Sequence, residues 1–111
     1  MKIVVTGAKG RIGAVLVDYA RSQGAQVLGV DSVGRGSWRE QYIAADLTDA
    51  GSCYDVLRGA DAVINLAAIA DSGMFPNAHT FQTNMAITYN VFLAAAHTWA
   101  CRAWCGPRPF R

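Results

Sequence analysis

Val4-Val5-Thr6-Gly7-Ala8-Lys9-Gly10-Arg11-Ile12-Gly13 is an apolar run ending in three glycines, each three residues from the next. Ile3-Val4-Val5 is β-branched throughout and suits a strand buried on both faces, as in a parallel sheet. Beyond the glycines, Ile12, Val15, Leu16, Tyr19 and Ala20 recur at helical spacing, which predicts an apolar helix face, and Gly24 stands where that helix would end. A strand that stops at a glycine turn and restarts as a helix gathers backbone N–H groups and the positive end of a helix dipole at one point. That point suits a phosphate. Gly7, Gly10 and Gly13 would allow the tight turn, close approach of a pyrophosphate, and close packing of helix on strand.

Gln26 to Val30 is a second apolar run and finishes at Asp31. Strand, helix and strand together fit a right-handed crossover between parallel strands. Asp31 lies 24 residues after Gly7, where a carboxylate at the tip of the second strand can accept hydrogen bonds from an adenosine ribose and repel a 2′-phosphate. A solvated loop acid is the plainer alternative. Arg35, in the polar segment from Ser32 to Arg39, could instead reach a 2′-phosphate. NAD is the expected cofactor, with NADP left open.

Glu40 to Ala45 reads as a third strand leading into Asp46-Leu47. Thr48 or Asp49 can cap a helix that carries Val56 and Leu57 and closes at Gly59. Asp46 is either a helix cap or an acceptor for an adenine amino group, with Leu47 against the ring. Ala62 to Ala68 is the fourth strand, and its small residues would let a flat ligand lie near the backbone. Asn65 in so apolar a run needs a partner, because a buried unpaired amide costs about 1–3 kcal/mol. After a polar loop from Asp71 to Asn77, the stretch from Ala78 to His97 reads as one long helix with Phe81, Met85, Thr88, Phe92 and Ala96 on one face. Asn84, on a neighbouring face, is placed to tie that helix to the preceding strand. His79 and His97 have no partners at catalytic spacing and read as solvated or core-edge residues.

With 111 residues the chain makes one small domain at most. Apolar residues are 52% and charged residues 16%, so some of its surface expects further covering. A net charge of +2 without a basic-aromatic stripe argues against nucleic acid. No apolar run approaches a bilayer span and no signal-peptide layout precedes the first strand, so no membrane role and a cytoplasmic location are expected. Three cysteines make no disulfide framework, and Cys101 and Cys105 lack the second pair a metal site would need. No metal is expected.

In this order and spacing the chain resembles the extended short-chain dehydrogenase/reductases, the NAD-dependent epimerase/dehydratase family. The resemblance rests on Thr6-Gly7-Ala8-Lys9-Gly10-Arg11-Ile12-Gly13, Asp31, Asp46-Leu47, Asn65-Leu66-Ala67-Ala68, and Asn84 leading to Asn90-Val91-Phe92-Leu93-Ala94-Ala95-Ala96. It implies an α/β fold over residues 1–98: part of a doubly wound Rossmann sheet, about four parallel strands in the order 3-2-1-4 with flanking helices. It also implies that Gly7, Gly10, Arg11 and Ile12 line the pyrophosphate, Asp31 the adenosine ribose, and Asp46 and Leu47 the adenine. Leu66, Ala67 and Ala68 would lie along the nicotinamide side, with Asn84 supporting the turn. Such families act on a carbinol, often of a nucleotide sugar, through a Tyr-x-x-x-Lys pair. Here Tyr19, Tyr42, Tyr54 and Tyr89 are followed four residues later by Gln23, Asp46, Arg58 and Leu93, so no catalytic residue is assigned.

Residues 99–111 show neither helical nor strand periodicity. Read from the last base of the Thr98 codon, the same stretch must encode Gly across Trp99-Ala100 and Val across Trp104-Cys105, and suitable codons allow a turn, a strand and a Ser-Ser pair. The tail is therefore read as a frameshifted stretch and the chain as a truncated member of the family, with a genuine divergent tail as the alternative. In the 3-2-1-4 order the fourth strand would be an open edge and one apolar flank of the long helix uncovered, which predicts self-association.

Overall fold

A computed structural model describes residues 1–32, 34, 36, 41–69 and 73–104, with side chains through 98. Along the chain follow β1 (Lys2–Thr6), α1 (Arg11–Ser22), β2 (Gln26–Asp31), β3 (Tyr42–Ala44), α2 (Ala50–Leu57), β4 (Ala62–Asn65) and α3 (Asn77–Trp104). All four strands pair in parallel, in the order β3-β2-β1-β4 that the family resemblance implies. Arg35 and Glu40 lie outside the described residues, as do the polar segment's other members from 37 to 39, Cys105 and the rest of the tail.

Side chains alternate across the sheet because successive residues of a strand point to opposite faces. Ile3, Val5 and Val27 pack with Val17 and Ala20 of α1. Val4, Leu28 and Val30 pack instead with Cys53, Val56 and Leu57 of α2 and with Val91, Ala94 and Ala95 of α3. Helices on both faces explain why β1 reads as an unbroken apolar run. Val4, Val5, Val27 and Val30 have no exposed surface, and burial of each contributes about 1.5–3 kcal/mol. Cys53 is buried in the second cluster, where desolvation and then the charges of Asp49 and Asp46 push its thiol up to about 11. It is a packing residue held as a neutral thiol at neutral pH.

Two helix faces differ from the sequence-based expectation. In α1 it is Gly13, Val17 and Ala20 that are buried, while Ile12, Val15 and Tyr19 are 73%, 69% and 62% exposed. The backbone sets this rotation: a Cβ on Gly13 would lie 2.1 Å from the Gly7 carbonyl oxygen, so the side of the helix that packs closest must carry a glycine. In α3 the residues Phe81, Met85 and Phe92 are 66%, 54% and 67% exposed, with Thr88 and Ala96 exposed beside them. The inward face is Val91, Ala94 and Ala95 with Ile87, whose smaller alanines let the helix approach α2 and the sheet.

Element ends also shift. β4 stops at Asn65 rather than Ala68, and α3 continues as helix to Trp104, past the point where an irregular tail was expected to begin at residue 99. α1 closes as predicted, with Gly24 at φ +86° and the Ala25 N–H donating to the Ala20 carbonyl at 3.1 Å. Asp49, not Thr48, caps α2, accepting from the Ser52 N–H at 3.0 Å. Replacing Asp49 by Ala is expected to cost about 1 kcal/mol, read as a lower urea midpoint, with Asp49→Asn close to the parent. Equal midpoints for Ala and Asn would show that the cap contributes nothing. Among the described residues no helix is long and apolar enough to cross a membrane.

Candidate functional site

Because the strands are parallel, Thr6, Asp31, Ala44 and Asn65 all come to one edge of the sheet. The chain leaves β1 through α1 to β2 on one side, and returns from β3 through α2 to β4 on the other. Such a reversal opens a crevice at the carboxyl ends of the strands, here between β1 and β4.

The β1–α1 turn forms the floor of that crevice. Gly7 sits at φ +69°, and a Cβ there would lie 2.7 Å from the Leu66 carbonyl oxygen. Only glycine meets both demands. Gly10 is the N-cap of α1 in extended conformation and offers no side-chain cap. The first-turn amides of Arg11, Ile12 and Gly13 therefore remain for an incoming acceptor, at the positive end of the helix dipole. Arg11 and Ile12 are exposed beside them, whereas Gly13 is buried and acts through packing.

Asp31 is half-buried at the end of β2, and its carboxylate is fixed in place by two backbone donors. The Lys9 N–H donates to Oδ2 at 2.9 Å and the Ser32 N–H to Oδ1 at 2.7 Å. Each oxygen keeps a lone pair for a further donor, such as a diol hydroxyl. Lys9 itself reaches over Tyr42, its Nζ 4.9 Å from the ring centroid. Burial, and then the Asp31 charge, raise the Tyr42 phenol above its ordinary value.

At the opposite wall, the fully buried Thr6 hydroxyl is the hub. It donates to Asn65 Oδ1 at 2.5 Å and accepts from the Leu66 and Ala67 N–H groups at 3.0 and 3.1 Å. Asn65 thus finds the partner its apolar surroundings require. Capture of those two amides draws the chain out of the sheet after Asn65, which is why the fourth strand is shorter than its apolar run. Leu66 and Ala68 are exposed there and Ala67 is half-buried. Asn84 clamps the same loop from α3, accepting from the Ile69 N–H at 2.7 Å and donating to the Ile69 carbonyl at 3.1 Å.

Asp46 and Leu47 follow β3, whose register places Ala44 beside Asp31. Asp46 does not cap α2: its Oδ1 accepts from the Thr48 hydroxyl at 2.6 Å and the Thr48 N–H at 3.0 Å, and these bonds lower its pKa. It stays exposed. The Leu47 side chain is only 4% exposed and packs in the core, so what it presents to a ligand is backbone rather than an apolar flank. The expected contact of its side chain with a ring does not fit this burial.

Thr6 and Lys9 belong to the motif, but the contacts they make escape a motif reading because their partners are distant in sequence, although a hydroxyl closing a β-branched run is itself a signal. His97 also has a partner after all, its Nδ1 2.5 Å from Tyr54 Oη across the α2–α3 contact. His79 lies against Phe75.

Residues 3–104 match the model of the NAD dependent epimerase/dehydratase family. Uncharacterized protein Rv2047c of Mycobacterium tuberculosis is 36% identical over 100 residues, covering 88% of this chain and 11% of that protein. A short-chain dehydrogenase/reductase superfamily protein from Agrobacterium tumefaciens, solved with bound NAD, superposes with a TM-score of 0.77 at 28% identity, covering 88% of this chain and 30% of its own. Glucuronic acid dehydrogenase from Chromohalobacter salexigens gives 0.73 at 26% identity, over 86% of this chain and 36% of that one. The chain thus spans about a third of the length of these solved relatives. With the match running from β1 into the end of α3, the chain belongs to the NAD dependent epimerase/dehydratase family.

Proposed function

We propose that this chain binds NAD across the carboxyl ends of β1, β2 and β4, as the N-terminal coenzyme-binding portion of an epimerase, dehydratase or oxidoreductase acting on a sugar-like substrate. The observation that carries this is the pairing of an uncapped α1 N-terminus with a carboxylate already oriented by two backbone amides. In this reading Gly7, Gly10, Arg11 and Ile12 receive the pyrophosphate, with Gly13 keeping α1 close to the turn. Asp31 takes the adenosine ribose hydroxyls, exposed Asp46 accepts from the adenine amino group, and the Leu47 backbone borders the ring. Leu66, Ala67 and Ala68 border the nicotinamide, on a loop held by Thr6 and Asn84. The coenzyme supplies a hydride acceptor when bound. The chain's own residues bind and orient it.

No Tyr-x-x-x-Lys pair occurs within these 111 residues, so no side chain is assigned to take a carbinol proton. The chain alone is therefore proposed to bind without turnover. A NAD-dependent family and a glucuronic acid dehydrogenase among the relatives support a sugar-like substrate for the longer protein. The same missing pair favours a second reading, a dinucleotide-binding sensor with no chemistry. Restoring the shifted frame after Thr98 and assaying NAD reduction with a panel of sugars and uronic acids separates the two, since a sensor turns nothing over.

A cytoplasmic setting and self-association belong to the same proposal. β4 is an edge strand, and a groove of about 380 Å³ lined by Val63, Asn65, Thr88, Val91, Phe92 and Ala95 runs between it and α3. Sedimentation of the pure chain reads the association directly.

Calorimetry tests the coenzyme. The folded chain is expected to release heat with NAD, and Gly10→Val to weaken binding at least about tenfold, roughly 1.4 kcal/mol. A Cβ on Gly10 would meet only the Gly7 carbonyl oxygen, at 3.2 Å, so most of the fold should survive that change. No heat from a chain with an intact circular dichroism spectrum would end the proposal.

A further inference from the structure

Two asparagines of α3 hold two separate loops at the carboxyl edge of the sheet. Asn84 clamps the loop after β4 at Ile69. Asn90 stands six residues on, about 9 Å farther along the helix axis, and serves the turn after β3. Its side-chain amide donates to the Leu47 carbonyl at 3.1 Å and to the Thr48 carbonyl at 3.0 Å. Both carbonyls precede Asp49, the N-cap of α2, and so lie outside that helix's own hydrogen-bond ladder. Backbone oxygens there need donors from elsewhere, and an amide NH2 has two hydrogens to give. The Cys53 thiol adds a weaker donor to the Leu47 oxygen at 3.4 Å, so the turn is pinned from α2 and α3 together.

The pinned residue is also the one that aims Asp46. The Thr48 hydroxyl and N–H donate to Asp46 Oδ1 at 2.6 and 3.0 Å. Asp46 is exposed, and among the described residues its Oδ2 receives no donor. A continuous set of bonds therefore runs from α3, through the Thr48 peptide, to a carboxylate with one oxygen free for a ligand. A carboxylate already held in one direction loses less freedom when a ligand arrives.

We propose that Asn90 is a positioning residue for recognition of the coenzyme's adenine amino group: it fixes the Leu47–Thr48 turn and, through Thr48, the direction of the Asp46 carboxylate. This deepens the coenzyme-binding proposal and rests on it. Discrimination between bases is what the arrangement controls. A 6-amino group donates to Asp46, whereas the 6-oxo group of hypoxanthine brings an acceptor to the same place and meets repulsion.

The test is calorimetry of the full chain with 5′-AMP and 5′-IMP, for the parent, Asn90→Ala, Asp46→Ala and the double variant, with NAD binding measured alongside. The parent should bind 5′-AMP about tenfold or more tighter than 5′-IMP, and each single variant should bring the two within about threefold. Because Asn90 acts through Asp46, the double variant should discriminate no less than Asp46→Ala alone. A merely structural role would weaken both nucleotides by one factor and leave their ratio at the parent's value, and that result overturns the inference. So does a further loss of discrimination when Asn90→Ala is added to Asp46→Ala. Should Asn90→Ala fail to give a folded circular dichroism spectrum, Asn90→His keeps one N–H donor and should show a ratio below the parent's; an unchanged ratio overturns the inference equally. A parent that binds NAD but does not prefer 5′-AMP overturns this inference and leaves the coenzyme-binding proposal standing, while a parent that binds neither NAD nor either nucleotide overturns both.

Discussion

Gly13→Ala is expected to destabilise the chain by about 3 kcal/mol or more, a large share of the roughly 5–15 kcal/mol a small domain has. The reason is geometric. A Cβ at position 13 would lie 2.1 Å from the Gly7 carbonyl oxygen, 2.9 Å from its carbonyl carbon and 3.0 Å from the Ala8 Cα, all of them backbone atoms. No rotamer change relieves such a contact, so α1 must move away from β1. That movement opens the cluster of Val5, Val17, Ala20 and Val27 and displaces the first-turn amides from the phosphate position. Loss of stability and loss of coenzyme binding should arrive together.

The other glycines calibrate the claim. At Gly7 a methyl group meets Leu66 backbone at 2.7 Å and must adopt φ +69°, so Gly7→Ala should be nearly as harmful. Gly24 shares the positive φ but faces open space, so Gly24→Ala should cost only about 1 kcal/mol. Urea unfolding midpoints for the three variants should fall in the order Gly24→Ala, then Gly7→Ala, then Gly13→Ala from mildest to worst. A Gly13→Ala midpoint at or above that of Gly24→Ala would mean that α1 does not rest on the turn as described.

This also marks where sequence reading succeeds and where it stops. β1, its glycine turn and Asp31 are legible because each is local: a β-branched run, a spacing of three, an acid at a strand tip. The order 3-2-1-4 is legible through the family resemblance that those elements carry together. The buried face of α1 is not. Ile12, Val15 and Tyr19 carry the stronger apolar signal, but rotation of the helix is set by a contact between two backbones, in which residue 13 has no side chain to advertise itself. For α3 the same reasoning reverses the expected face, since Ala94 and Ala95 pack closer than Phe92 could. Thr6, Tyr54 and His97 were silent for another reason. Their partners stand 59 to 61 and 43 residues away, and only the fold brings them together.

Thr6→Val is expected to lower stability by about 2–4 kcal/mol although it barely changes the side chain's shape. Thr6 is fully buried, and its hydroxyl serves three partners at once. Valine fills the same space and serves none. The Leu66 N–H keeps the Thr6 carbonyl at 3.2 Å, but the Ala67 N–H and Asn65 Oδ1 lose the partner described here. Each polar group stranded in this way costs about 1–3 kcal/mol. The damage is directional as well as energetic, because the released Ala67 N–H belongs to the loop proposed to border the nicotinamide. Thr6→Ser keeps the hydroxyl and loses one methyl group, so it should cost about 1 kcal/mol by the burial of a single carbon. Coenzyme binding separates the two effects further: the serine variant should bind NAD like the parent, and the valine variant should bind it more weakly even under conditions where both are fully folded. If valine proves as stable as serine and binds as well, the hydroxyl is a passenger in the core and the β1–β4 wall is held by packing alone.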